Sequence, residues 1–140
     1  MKVIYLILIS LTVSLSVLSL PLSAHHGNAA YNTDKRVTIK GTVTRWLWSN
    51  PHCILQLDVT DASNQVVHWY AETENPTTIT HLGLSQTSFK PGDEVTVTMI
   101  TVKNGHPLGR IAEVVLPDGR KVAGIIPGLR PPGTEDSPKQ

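Results

Sequence analysis

Val37-Thr38-Ile39-Lys40-Gly41-Thr42-Val43-Thr44-Arg45-Trp46-Leu47-Trp48 is the stretch on which the fold turns. Val37, Ile39, Gly41 and Val43 occupy alternate positions, with Thr38, Lys40 and Thr42 between them. Period two is the mark of a strand with one buried and one wet face. The alternation loses phase at Thr44-Arg45-Trp46, after which Trp46 and Trp48 share a parity. A bulge or tight bend there lets one long first strand serve two parts of a curled sheet. Gly41, with no side chain, suits a sharp bend.

Downstream, Ser49-Asn50-Pro51 makes a turn, and a second strand is predicted over His52–Val59 with Cys53, Leu55, Leu57 and Val59 in phase. Asp61-Ala62-Ser63-Asn64 reads as a hairpin turn into a third strand over Val66–Ala71. Asn75-Pro76-Thr77-Thr78 breaks the extended run. A short helix over Thr77–Leu82 follows, with Asn75 or Thr77 near its cap and Gly83 near its end. Lys90-Pro91-Gly92-Asp93 is a turn, and Val95, Val97 and Met99 alternate in a fourth strand. A fifth covers Gly109–Leu116, and Pro117-Asp118-Gly119-Arg120 turns into a short extended piece over Lys121–Ile126. Three strands, a short connecting helix and two more strands predict an all-β fold: a five-stranded OB-fold-like Greek-key barrel. Another small barrel or a sandwich is the rival.

The 140 residues suffice for one small domain, and 40% hydrophobic against 16% charged residues favours a folded body over disorder. The amino terminus reads as an export signal. Lys2 gives a minimal positive region, Val3–Leu20 is apolar or small, and Pro21-Leu22-Ser23-Ala24 resembles the exit into a cleavage site. The expected organisation is a signal peptide over 1–24, a β-barrel domain with its amino-terminal arm over 25–126, and a Pro/Gly-rich flexible tail over 127–140. Such a chain is periplasmic or secreted and keeps no integral membrane anchor once the signal is cut. The cut removes Lys2 and no acid, so the mature chain carries no net charge to steer a partner. No basic block offers a phosphate footprint, which argues against nucleic acid. The one cysteine, Cys53, opens the apolar run Cys53-Ile54-Leu55 and reads as a small buried hydrophobe.

Several passages together resemble a family of small exported bacterial proteins of unknown function. They are Ala24-His25-His26, the strand Val37–Thr44, the tryptophan-bearing turn into Asn50-Pro51-His52, Trp69, Pro76, Lys90-Pro91-Gly92-Asp93 and Leu116-Pro117-Asp118-Gly119. The resemblance covers most of 24–122 and implies an exported barrel with no catalytic assignment. After the double histidine that family usually continues Ser-Phe-Ala, whereas this chain has Gly27-Asn28-Ala29-Ala30. The aromatic expected at position 28 is missing, and Tyr31 is the candidate to replace it.

Chemistry concentrates on the histidines. Cleavage after Ala24 leaves the α-amine of His25 beside its own imidazole, two nitrogens able to chelate one ion. A second histidine completes a T-shaped three-nitrogen site of the kind that suits Cu(II). His26 is adjacent, and His52, His68, His81 and His106 are distant in sequence. His52 is the preferred partner because it follows the Asn-Pro turn. The metal candidates are therefore His25, His26 and His52, and the cofactor to test is copper. Trp46, Trp48 and Trp69 could stack on a ligand or simply close the core. Asp58, Glu72, Glu74, Asp93 and Glu113 show no paired-carboxylate spacing, Ser49 and Ser85 lack a nucleophile elbow, and Arg45 and Arg110 read as anion-holding or solvated edge charges. No catalytic residue is assigned. The leading functional reading is a noncatalytic exported binding or accessory domain, with an envelope protein or a small ligand as partner. The alternative is a periplasmic copper-binding protein using the mature terminal amine and histidine imidazoles.

Overall fold

A computed structural model describes residues 29–126. The expected signal, residues 25–28 of the arm with His25 and His26, and the expected tail at 127–140 lie outside the described residues. The elements run β1 (Tyr31–Leu47), β2 (Ile54–Thr60), β3 (Val66–Glu72), α1 (Pro76–His81), β4 (Glu94–Val102), β5 (Leu108–Val115) and β6 (Lys121–Ala123). No helix among the described residues is long and apolar enough to cross a membrane.

The fold expectation needs correcting. The strands make one six-stranded sheet in the order β3-β2-β1-β4-β5-β6, not a five-stranded OB-type barrel. The physical reason for the sixth strand lies in the Pro117-Asp118-Gly119 turn. The amide of Leu116 donates to the carbonyl of Arg120 at 2.9 Å. That closure brings Lys121, Val122 and Ala123 opposite Val115, Val114 and Glu113. Val122 then points inward, 6% exposed, so burial of its side chain holds a strand too short to read from periodicity. Beyond the linear order, β3 runs parallel to β5 over three pairs: Tyr70 with Leu108, Ala71 with Gly109 and Glu72 with Arg110.

The long first strand behaves as its alternation implies. It pairs with β4 through Arg36–Thr42 and with β2 through Thr42–Leu47, and its register on β2 slips between Val43 and Arg45. The slip coincides with the loss of phase in the sequence. β1 also begins earlier than the alternation shows, because Tyr31 pairs with Val102 across an irregular stretch that ends at Arg36. Gly41 marks a close strand crossing: a Cβ there would lie 2.9 Å from the Asp58 carbonyl oxygen.

The core follows the in-phase residues. Val43, Cys53, Leu55, Leu57, Val95, Val97, Met99, Ile111 and Val114 form one buried cluster, sealed at one end by Ile79, Leu84 and Phe89. The helix begins at Pro76, one residue before the expected Thr77, and of the two expected caps Asn75 is the one used, its side chain accepting from the Thr78 amide at 3.0 Å. A smaller cluster of Tyr31, Ile100, Ala112 and Ile126 gathers the two ends of the described chain. Tyr31 is thus the aromatic that packs the start of the domain.

Candidate functional site

The parallel register of β3 on β5 puts Glu72 beside Arg110, and their side chains meet with Arg110 Nε 3.1 Å from Glu72 Oε2. Tyr31, at the first position of β1, donates its hydroxyl to the same Oε2 at 2.9 Å. Its ring lies under the Arg110 guanidinium, 4.9 Å from carbon to centroid, a cation–π distance. The ladder of β2 and β3 continues past both strands, the Thr73 amide donating to the Cys53 carbonyl at 2.9 Å and the Cys53 amide to the Glu74 carbonyl at 3.2 Å. His52 is thereby carried to the same corner. Its Nδ1 lies 2.9 Å from the Thr73 carbonyl oxygen and 3.4 Å from Glu72 Oε1.

This arrangement fixes the imidazole. A backbone carbonyl can only accept, so Nδ1 carries the proton and the neutral ring keeps its lone pair on Nε2. Metal-bound histidines are oriented in the same way, through the other ring nitrogen on a carbonyl or carboxylate. The His52 side chain is 32% exposed, whereas Glu72 and Arg110 are each 18% exposed. The four residues form a half-buried ionic corner with one imidazole at its rim.

Burial and the Glu72 carboxylate together push the Tyr31 phenol above its ordinary value of 10.0. For Arg110, burial works against the charge, but Glu72 and then Tyr31 outweigh it and raise the group overall. The phenol shift has a sign that can be checked. The unfolded chain gives up the Tyr31 proton first, so the folded state holds more protons above pH 10 and loses stability as pH rises. We expect the unfolding free energy to fall from about pH 10 upward. In Tyr31→Phe that part of the slope should vanish, at a cost of about 1.5 kcal/mol at neutral pH for the lost bond to a charged acceptor. Denaturant titrations of both proteins at pH 7 and pH 11 make the comparison; equal slopes would refute it.

The other expected site residues fall elsewhere. His68 is 73% exposed and pairs through Nδ1 with Asp58 Oδ1 at 2.6 Å on the sheet surface. His81 ends α1 and His106 lies in the β4–β5 connection, both exposed. Among the described residues no group of three or more His, Cys, Asp and Glu is gathered to hold a metal ion. Trp46 and Trp48 are brought together edge to face, centroids 5.8 Å apart, and Trp46 meets Phe89 in the same way at 5.0 Å. The Trp46 indole donates to the Ser85 carbonyl at 3.0 Å. With Trp69, both pack against the main core, so each indole has a packing role. Cys53 is fully buried and burial pushes its thiol up, the environment of an inert cysteine.

Sequence reasoning weighed Glu72 and Arg110 separately and treated Tyr31 as packing only. Their convergence depends on a parallel contact between strands 38 positions apart in the chain, for which no local pattern gives a signal.

The fold and this corner define a small, mostly β domain with a half-buried ionic cluster where its first strand begins. A family model matches residues 12–111, and the chain belongs to that family, DUF6152, a family of unknown function. The matched span includes Tyr31, His52, Glu72 and Arg110. No curated protein matches the chain.

Proposed function

We propose that the protein is a noncatalytic exported binding domain that holds Cu(II) between the mature amino-terminal residue, His25, and His52. The α-amine and imidazole of His25 supply two nitrogens and His52 Nε2 the third, a set matched to the tetragonal preference of Cu(II). The observation that carries this reading is the orientation of His52: with Nδ1–H committed to the Thr73 carbonyl, Nε2 is the nitrogen with a lone pair to give. Reach supports it too. His25 precedes Tyr31 by six residues, which span up to about 20 Å when extended. Tyr31 and His52 sit on the two oxygens of one carboxylate. Acid should release the ion, because the amine and imidazoles must be unprotonated to bind it.

The test is mass spectrometry of the natively exported protein followed by Cu(II) titration of that form. We expect a chain beginning at His25, one saturable equivalent, and a loss of affinity of tenfold or more in His52→Ala. His68→Ala, which alters an exposed imidazole on the sheet surface, should bind as the unaltered protein does. A different amino terminus, nonsaturable uptake, or full binding in His52→Ala would refute the reading.

A further inference from the structure

We propose that the unpaired half of β3 is a self-association edge, on which a second copy of this chain pairs antiparallel about a two-fold axis at Val67. No metal takes part in this contact. Backbone groups along a strand point alternately to its two sides. The Gln65 carbonyl accepts from Asp61 and the Thr73 amide donates to Cys53, both on the β2 side, whereas the Tyr70 amide donates to the Pro107 carbonyl on the other. Odd-numbered residues of β3 therefore face β2, and Val66, His68, Tyr70 and Glu72 turn their N–H and C=O groups outward. β5 occupies that outer side only from Tyr70 onward. Carrying its ladder one step back would need a donor from Pro107 to the His68 carbonyl, and proline has no N–H. Among the described residues, Val66 and His68 are left with no backbone partner on the outer side.

This edge lacks the usual guards against pairing. Val66-Val67-His68-Trp69 holds no lysine, proline or glycine, and the register on β2 runs through it without a bulge. The exposed large hydrophobics among the described residues, Val66 at 55% and Tyr70 at 46%, both lie on β3. They share one face, with His68 between them. The edge at the other end of the sheet, β6, is three residues long and bounded by exposed Lys121 and Ala123.

One symmetric register completes the bonding. A two-fold axis at His68 would set Val66 against the Tyr70 amide of the second copy, which is already spent on Pro107. An axis at Val66 would set His68 against Asn64, whose amide is spent on the Asp61 carbonyl. At Val67, Val66 of each copy exchanges both backbone bonds with His68 of the other. Tyr70 then lies diagonally across from Val66 of the second copy, within reach of an aromatic ring. The free edge is thus complementary to itself, which is what selects a second copy as its occupant. Pairing uses up both edges, so the contact closes at two copies. Its short ladder covers well under the roughly 800 Å2 per partner of a stable interface. The dimer is therefore reversible, with a dissociation constant on the order of 0.1–1 mM.

Sedimentation velocity of the natively produced protein, from about 10 µM to about 2 mM, reads the association. We expect the average mass to rise toward that of a dimer. His68→Pro removes an outward N–H that the monomer leaves unused, and His68→Ala removes the same imidazole while keeping that N–H. Val66→Lys places a charge on the edge. Association should weaken at least about tenfold in His68→Pro and Val66→Lys, and by no more than about threefold in His68→Ala. If His68→Pro does not fold, Val66→Lys decides. Amide hydrogen exchange locates the contact: the Val66 and His68 amides should slow as concentration rises. A chain still monomeric at about 2 mM, or association unchanged in Val66→Lys, would overturn the proposal. Equal losses in His68→Ala and His68→Pro would overturn it by making the imidazole the contact. Slow exchange at Val66 and His68 at every concentration would overturn it by giving the edge to another segment of the same chain.

Discussion

Gly109→Ala is expected to destabilise the domain by about 2–4 kcal/mol, more than any other single methyl group added to the sheet. Gly109 lies between two partners, opposite Ala71 on β3 and Thr101 on β4. A Cβ at this position would come against Met99 Sδ and would sit 2.8 Å from both Met99 Cγ and the Ile100 carbonyl oxygen. A methionine can normally give way, because it is unbranched and flexible. Here Met99 is fully buried in the main core, so moving it displaces its neighbours. The carbonyl belongs to the β4 backbone and can retreat only if the strands separate. Gly41→Ala makes the useful contrast. Its nearest contacts, at 2.9 Å, are the Asp58 backbone carbonyl oxygen, which must retreat as that of Ile100 must, and Val59 Cγ2; the contrast lies in the side chain, since Val59 is only half-buried where Met99 is fully buried. That change should cost about 1–2 kcal/mol. Denaturant unfolding of the two variants, compared at constant m-value, gives the order. A loss below about 1 kcal/mol at Gly109 would mean that β4 and β5 tolerate separation.

The contrast also shows which features a one-dimensional pattern can carry. The inward sets Cys53-Leu55-Leu57 and Val95-Val97-Met99 were legible because each strand states its own buried face at period two. The slip at Val43/Arg45 was legible for the same reason, as a break in that period. The side-chain chemistry of Asn75 and Thr77 marked the helix start to within a residue, and Asn75 is the cap. By contrast, β6 was legible only as an extended piece over Lys121–Ile126 after its turn, because it has only Val122 to bury and one inward residue makes no period. The tight packing at Gly109 was equally hidden, since a glycine opening a strand looks the same whether or not another backbone presses on it. At the corner, the Asn-Pro turn pointed to His52, but nothing local ties Glu72 to Tyr31 or Arg110. Those links arise from the sheet's curl, through one short parallel contact.

Arg110→Ala should cost about 2–3 kcal/mol, because it removes one half of an ion pair that is mostly out of water. Three losses combine. The guanidinium no longer meets Glu72 Oε2, the cation–π contact over Tyr31 disappears, and the aliphatic stem leaves space beside strands β3 and β4. The first dominates, since Glu72, at 18% exposure, keeps the Tyr31 hydroxyl as a donor, while the nearby His52 Nδ1–H is spent on the Thr73 carbonyl. A fully buried pair broken in this way would cost 3–5 kcal/mol; water reaching the rim of the corner brings the figure down. Arg110→Lys keeps the charge and gives up the planar fork, and should recover about half of the loss. The Lys40–Glu94 pair has nearly the same length, 2.9 Å, but its side chains are 66% and 68% exposed. Lys40→Ala should therefore change stability by less than about 0.5 kcal/mol, with salt removing most of even that. Denaturant unfolding of the three variants at low and high salt separates the two kinds of pair. If Arg110→Ala were as mild and as salt-sensitive as Lys40→Ala, the corner would be ordinary wet surface. The same result would deny it the fixed, low-dielectric environment in which the Thr73 carbonyl holds His52 in one tautomer, so this stability measurement, made without any metal, bears directly on whether the proposed site can be preorganised.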